Sequence, residues 1–242
     1  MSLLALRNIS KSFGGLEALR GVSLEVERHE IVGLMGANGA GKTTLFSLIA
    51  GHARATSGTI LFKSRSINGL RPDQICRLGI ARTFQIVRPF ANMSVLDSVV
   101  VGALYGVRGE KSIARATERA MDILKELGLS NRADDPASSL TLSGQKRLEI
   151  ARALATAPEL LMLDEVMAGL TATEIAELLV VIRRIKERMS LTIVMVEHVM
   201  QALMQLSGRL VVLHHGELIA QGIPQAVSVD PHVISAYLGE PV

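Results

Sequence analysis

Nine consecutive residues, Gly36, Ala37, Asn38, Gly39, Ala40, Gly41, Lys42, Thr43 and Thr44, carry the spacing Gly-x-x-x-x-Gly-Lys-Ser/Thr. Each residue type suits a polyphosphate. Glycines let the backbone wrap the anion with its N–H groups pointing inward. The start of a following helix adds its positive end. Lys42 can reach β- and γ-phosphates, and the Thr43 hydroxyl can ligate Mg²⁺. The ligand expected here is a nucleoside triphosphate.

Two further clusters could complete the chemistry. Asp164 and Glu165 close the apolar run Leu160–Leu163. A carboxylate at the carboxyl end of a buried strand is where a phosphate site needs a Mg²⁺ ligand, a role expected of Asp164. Glu165, its neighbour, can polarise an attacking water as general base. His198 follows the run Leu191–Val196 and can hydrogen-bond a γ-phosphate or that water. The predicted catalytic set is Glu165, His198 and Lys42.

The elements that must position these groups are legible from pattern. Ile31–Met35 is a continuous apolar run of the kind buried on both faces of a parallel sheet, and it leads into the glycine loop. A helix is expected from Gly41 to Ala50, closed by Gly51. Val22–Val26 alternates as an edge-type strand, and Ser12–Leu16 reads as a turn. Leu160–Leu163 and Leu191–Val196 read as further buried strands. Between them Ile175, Leu178, Leu179, Ile182 and Ile185 recur at helical spacing. Strands alternating with helices predict an α/β fold with a mostly parallel core sheet, preceded by an antiparallel β part. The segment from about 86 to 158 is patterned as helices, over Ser94–Leu104, Lys111–Leu127 and Ser143–Thr156, and is expected as a helical subdomain inserted into a core of 1–85 and 159–242.

Bulk properties narrow the class. The 242 residues are 48% hydrophobic and 20% charged, with a net charge of +3 and 3% aromatics. So few aromatics, and no dense basic block, argue against nucleic acid as a partner. Mean hydropathy is +0.34, yet no apolar run approaches the roughly 18 residues of a membrane span. Either a large core or a surface covered by a partner accounts for this. A single cysteine, Cys76, forms no internal disulfide and has no zinc-ligand neighbours, which suits the cytoplasm. The methionines near 162–204 read as adaptable core filling, and His214-His215 before Gly216 as a surface hairpin turn.

The order and spacing of the glycine loop, Gln85 in Ala-Arg-Thr-Phe-Gln, the run Ile150-Ala-Arg-Ala-Leu154, the Leu-Asp-Glu at 163–165 and His198 resemble the ATPase subunits of ABC transporters. The resemblance spans essentially the whole chain. It implies a P-loop NTPase fold and further roles. Phe13 resembles the aromatic that stacks on adenine. Gln85 resembles the glutamine that senses Mg²⁺ and the γ-phosphate. Residues 140–147 resemble the signature loop, which meets the ATP held by the opposite subunit of an ATPase dimer. Aligned on Ile150–Leu154, the phosphate-facing hydroxyl falls on Thr141; aligned on Leu142-Ser-Gly-Gln145, it falls on Ser143, with Gly144 beside either. Val166 stands where the family usually has proline, and Ala168–Thr171 replaces a loop that often ends in Asp. An asymmetric pair with a sister ATPase is one reading of those departures.

The stretches 81–90, 163–170 and 236–240 look like the branched-chain amino-acid importer subfamily. That resemblance implies membrane permease subunits, an external solute-binding protein acting indirectly, either a homodimer or a sister ATPase, and a place on the inner face of the cytoplasmic membrane. Alternatives are the ATPase of a lipopolysaccharide-export system, and a nucleotide switch unconnected with transport.

Overall fold

The computed structural model describes residues 2–84, 93–107 and 109–238; Gln85, the rest of 85–92, and Gly239-Glu240 lie outside them. The chain divides into two compact units, one reaching to Ile75 and resuming at Thr192, the other Cys76–Leu191.

The first unit opens with β1 (Ser2–Phe13) and β2 (Leu16–Glu27), a long antiparallel hairpin. The alternation read in Val22–Val26 belongs to β2, whose inward residues Val22, Leu24 and Val26 are buried while their neighbours face solvent. Next come β3 (Ile31–Met35), α1 (Lys42–Ile49), β4 (Ser57–Phe62) and β5 (Arg65–Ser66). β4 pairs antiparallel with β1 and with β5. Helix α2 (Pro72–Leu78) runs across the division between the units.

The second unit carries β6 (Ile80–Arg82), then α3 (Val95–Tyr105), α4 (Ile113–Glu126) and α5 (Leu142–Ala155), then β7 (Leu160–Asp164) and α6 (Ala172–Arg188). β6 and β7 run parallel, Ile80 opposite Leu160 and Arg82 opposite Met162. The three middle helices fall where the sequence pattern places them, and α3 packs on both α4 and α5. Their starts are set by hydroxyl caps: Ser94 accepts from the Asp97 amide, Ser112 from Arg115, Thr141 from Gly144. α6 begins with a capping box, Thr171 with Glu174, and buries Leu178, Leu179, Ile182 and Ile185 on one face, with Ile175 half-buried at its edge.

The chain returns to the first unit with β8 (Thr192–Val196), α7 (Met200–Leu206), β9 (Arg209–His214), β10 (Glu217–Gly222), α8 (Pro224–Val227) and α9 (Pro231–Leu238). β3 lies between β8 and β9 and is parallel to both; β10 folds back antiparallel on β9. All five residues of β3, and all five of β8, are buried, as continuous apolar runs require. Met162, Met167 and Met195 fill the core, while Met200 is exposed. Among the described residues no helix is long and apolar enough to cross a membrane.

Candidate functional site

In the first unit, β3 ends at Met35 and α1 starts at Lys42; the glycine loop is the connection. Gly36 has φ +152, and a Cβ there would lie 2.3 Å from the Leu213 carbonyl oxygen. Only glycine lets the loop pass this close to the end of β9. The β9–β10 turn supports the loop from behind. Gly216 N–H donates to Ala40 O at 3.1 Å, and Arg20 N–H donates to Gly216 O at 2.9 Å. Gly216 has φ +83, and a Cβ would approach Ala18 O to 2.8 Å. His214–Gly216 lies at the hairpin turn expected from its sequence, and the turn also buttresses the cradle.

Lys42 is buried, and its ammonium donates to Gly36 O at 2.6 Å and Ala37 O at 3.0 Å. These bonds draw the charge across the loop rather than out to solvent. At the opening turn of α1, among the described residues, no side chain caps the helix and no acid sits in the first turn. Its N–H groups and the positive helix end are therefore offered to an anion. Thr43 is exposed and Thr44 half-exposed at the same turn. Phe13, at the end of β1, is 52% exposed, with Lys11 Nζ 4.5 Å from its ring centroid. An aromatic left this open suits stacking better than core packing. His198 is exposed two residues beyond β8.

In the second unit, Asp164 ends β7 and is 2% exposed. Its Oδ2 accepts from Arg82 Nη2 at 2.7 Å, and its N–H donates to Thr83 Oγ1 at 3.0 Å. The Thr83 N–H donates in turn to Met162 O. Glu165 follows with φ +50, an uncommon backbone region for a side chain of its kind and one found at functional sites. Its carbonyl accepts from Lys146 Nζ at 3.1 Å and from the Ala168 N–H at 3.3 Å. Thr141, at the head of α5, is the N-cap, and Ser143 and Gly144 lie within the first turn. The sequence pattern places the start of this helix at Ser143, one residue later than observed. Both residues are good caps, and the structure gives the role to the earlier one, which frees the Ser143 hydroxyl from capping. Gln85 lies outside the described residues.

Three residues of this unit escaped the sequence reading: Arg82, Lys146 and Glu149. Glu149 is buried on α5, and its Oε2 accepts from the Phe84 N–H at 3.0 Å. Burial pushes its carboxyl above the usual range, opposed by that hydrogen bond and by the charges of Arg152 and Lys146. A raised folded-state value means that the unfolded chain ionises first, so stability falls as pH climbs from the ordinary glutamate value to the raised one. Glu149→Gln is therefore expected to melt higher than the parent at pH 7, with the two converging near pH 4. Thermal melts across that range check it, and a Gln variant that is less stable at pH 7 contradicts it.

A cavity of about 680 Å³ also lies in this unit, lined by Arg119, Ile123, Leu154, Ile185 and Arg188 among others, but it includes none of the predicted site residues.

The profile of the ABC transporter family matches residues 19–168, more than half of the chain and inclusive of the glycine loop, α5 and β7. The chain belongs to the ABC transporter ATP-binding family. A second profile, that of the branched-chain amino acid ATP-binding cassette transporter, matches residues 217–242 of this ABC ATPase. It is 41% identical over 250 residues to the high-affinity branched-chain amino acid transport ATP-binding protein LivG of Salmonella typhimurium, covering 98% of each chain. It is similar to the crystal structure of an ATP-binding cassette of an ABC transporter in its ADP conformation, with TM-score 0.90, 31% identity, and 99% and 100% of the two chains covered. It is also similar to the dimeric structure of a bacterial ABC transporter cassette, with TM-score 0.83, 25% identity, and 91% and 98% covered. Membership makes the chain a nucleotide-binding P-loop ATPase. The local geometry fits that ligand, with a glycine cradle, an uncapped helix start and a buried ammonium. At the same helix start the exposed Thr43 hydroxyl is a hard oxygen donor of the kind that Mg²⁺ takes.

Proposed function

We propose that this ABC ATPase energises uptake of branched-chain amino acids or similar small polar solutes. The match of its C-terminal segment, 217–242, to the branched-chain transporter profile carries the reading, and the high-identity relative supports it. The same match favours import over the lipopolysaccharide-export alternative.

In this reading ATP stacks on Phe13 and lays its phosphates in the 36–44 loop, where Lys42 neutralises the β- and γ-phosphates. Mg²⁺, held by Thr43, Asp164 and Gln85, would offset charge on the phosphate oxygens. Glu165 takes a proton from water as the water oxygen attacks the γ-phosphorus and the bond to the β–γ bridging oxygen breaks. His198 steadies the γ-phosphate. A second ATPase, a copy of this chain or a sister subunit, presents its signature loop to that nucleotide. Thr141, the N-cap of α5, stands at that helix start, its hydroxyl accepting from the Gly144 N–H. Ser143 and Gly144 then offer hydroxyl and N–H one step further in. The helical segment of about 86–158 serves as the part that moves against the permease subunits on the inner face of the cytoplasmic membrane. The external binding protein acts only through those permeases.

Phe13→Ala is expected to raise the KM for ATP about tenfold with kcat unchanged, since one base–aromatic stack is worth roughly 1–3 kcal/mol. Steady-state kinetics decide it, and an unchanged KM removes Phe13 from the site. The function itself is tested by reconstituting the chain with its permease subunits and binding protein in liposomes. ATP-dependent entry of labelled leucine, isoleucine or valine is the expected result. ATP turnover stimulated by lipopolysaccharide and by none of these amino acids overturns the proposal.

A further inference from the structure

Among the described residues eight non-glycine positions have a positive φ, and Glu165 is the only one of them that is buried. The other seven are exposed or half-buried. A left-handed backbone under a long side chain persists only where its surroundings over-determine it. Here the carbonyl of Glu165 is the point that is held. It accepts from the Ala168 N–H at 3.3 Å, a bond local to the turn, and from Lys146 Nζ at 3.1 Å, which reaches across from α5. Lys146 is 3% exposed, and Glu149, one turn further along the same helix, is near enough for the two charges to act on each other. An ammonium at that depth carries a desolvation penalty that a methionine of similar length would avoid. What the ammonium adds is a charge-assisted donor, stronger than a neutral one, aimed at a single carbonyl. That carbonyl belongs to the residue read as the general base.

We propose that Lys146 is a positioning residue for the general base: its ammonium pins the Glu165 carbonyl, fixes the left-handed backbone there and so sets where the Glu165 carboxylate stands. The inference rests on the reading of Glu165 as the group that takes a proton from water. The direction of the Cα–Cβ bond follows from the backbone torsions, so release of the carbonyl would let Glu165 return to a commoner region and swing its side chain away. A misplacement of about 1 Å costs a catalytic arrangement on the order of 100-fold in rate. Lys146 acts through a peptide group and not on the nucleotide, so turnover bears the loss and ATP affinity does not.

The test uses the full chain, with its partner subunits wherever turnover requires them. Lys146→Met keeps the length of the side chain and removes the donor, whereas Lys146→Arg keeps a cationic donor. Carbonyl-¹³C glutamate combined with ¹⁵N-valine gives a carbonyl–nitrogen correlation only for Glu-Val pairs, which the chain has at 25–26 and 165–166. The Glu25 signal is assigned by its loss in Val26→Ile. The Glu165 carbonyl signal is expected to shift in Lys146→Met and to return toward the parent position in Lys146→Arg, with Glu25 unmoved in both. In Lys146→Met, kcat is expected to fall at least about tenfold with the KM for ATP within about twofold of the parent, and Lys146→Arg is expected to recover most of that loss. In a Glu165→Gln background Lys146→Met is expected to cost less than about twofold more, because a group that acts through the base has nothing left to act on. An unmoved Glu165 carbonyl in Lys146→Met overturns the proposal. So does a shifted carbonyl with unchanged kcat, or an equal loss of kcat in both backgrounds, which would make the contact purely structural. Thermal melts confirm that each variant is folded; if Lys146→Met is not, Lys146→Gln, which keeps a shorter neutral donor, is read in its place against the same outcomes. Turnover that survives Glu165→Gln is instead a failure of the general-base reading, and the carbonyl signal still decides the Lys146 contact.

Discussion

Glu165→Gln is expected to lower ATP turnover at least 100-fold while leaving ATP affinity within about twofold of the parent. A positioned general base contributes roughly 10²–10⁴ in rate, and an amide of the same shape cannot accept the proton from water. An ionised carboxylate has no proton to donate to a phosphate, so the ground-state complex should survive its replacement. The backbone of Glu165 argues in the same direction. Its left-handed φ of +50 is held by bonds to its carbonyl from Lys146 and Ala168, none of which depends on the side-chain charge. The variant therefore keeps its geometry and loses one chemical function. The measurement is Mg²⁺-dependent phosphate release beside equilibrium binding of ATP, made on the chain alone and with its partner subunits. Loss of both activities together would mean that Glu165 has a folding role and leave another residue as the base. Turnover by the parent only when partners are added would identify a sister ATPase as obligatory.

Lys42→Met is expected to weaken ATP binding about 100-fold. A charge-assisted hydrogen bond contributes roughly 1.5–3 kcal/mol, and Lys42 can offer one to each of two phosphates. Methionine nearly matches the length and volume of the side chain, so packing against the loop is conserved. It removes the donor now shared by Gly36 O and Ala37 O, and some loosening of the loop should accompany the loss. Calorimetric titration with ATP and with AMP separates the two effects. AMP lacks the β- and γ-phosphates and should be affected far less. Equal weakening of both nucleotides would place the role of Lys42 in holding the loop rather than in binding phosphate.

The phosphate loop was legible in the sequence because its determinants are local: nine adjacent residues, a buried strand before them and a helix after. The same locality made β3, β7 and β8 readable as apolar runs and α6 as a periodic stripe. What escaped was pairing across long separations. Arg82 meets Asp164 over 82 residues, Phe84 meets Glu149 over 65, and the Gly216 turn meets Ala40 over 176. Lys146 and Glu149 also misread easily, since charged residues three apart on a helix suggest a solvated face, whereas here they point inward. The start of α5 was displaced by one residue because Thr141 and Ser143 are both competent caps, and only the folded backbone decides which one is used.

The rear wall of the phosphate cradle is made by the fold's own backbone hydrogen bonds. Freezing backbone costs roughly 1–2 kcal/mol of conformational entropy per residue, and a loop of this length left free would have to lose that freedom on every binding event. By holding Ala40 through Gly216, and Gly216 through Arg20, the fold settles that loss once, during folding. Each nucleotide then meets a rigid mould. Exchange of product for fresh substrate can proceed many times without the loop being remade, and the free energy of the phosphate contacts remains available to drive whatever larger motion the ATPase performs.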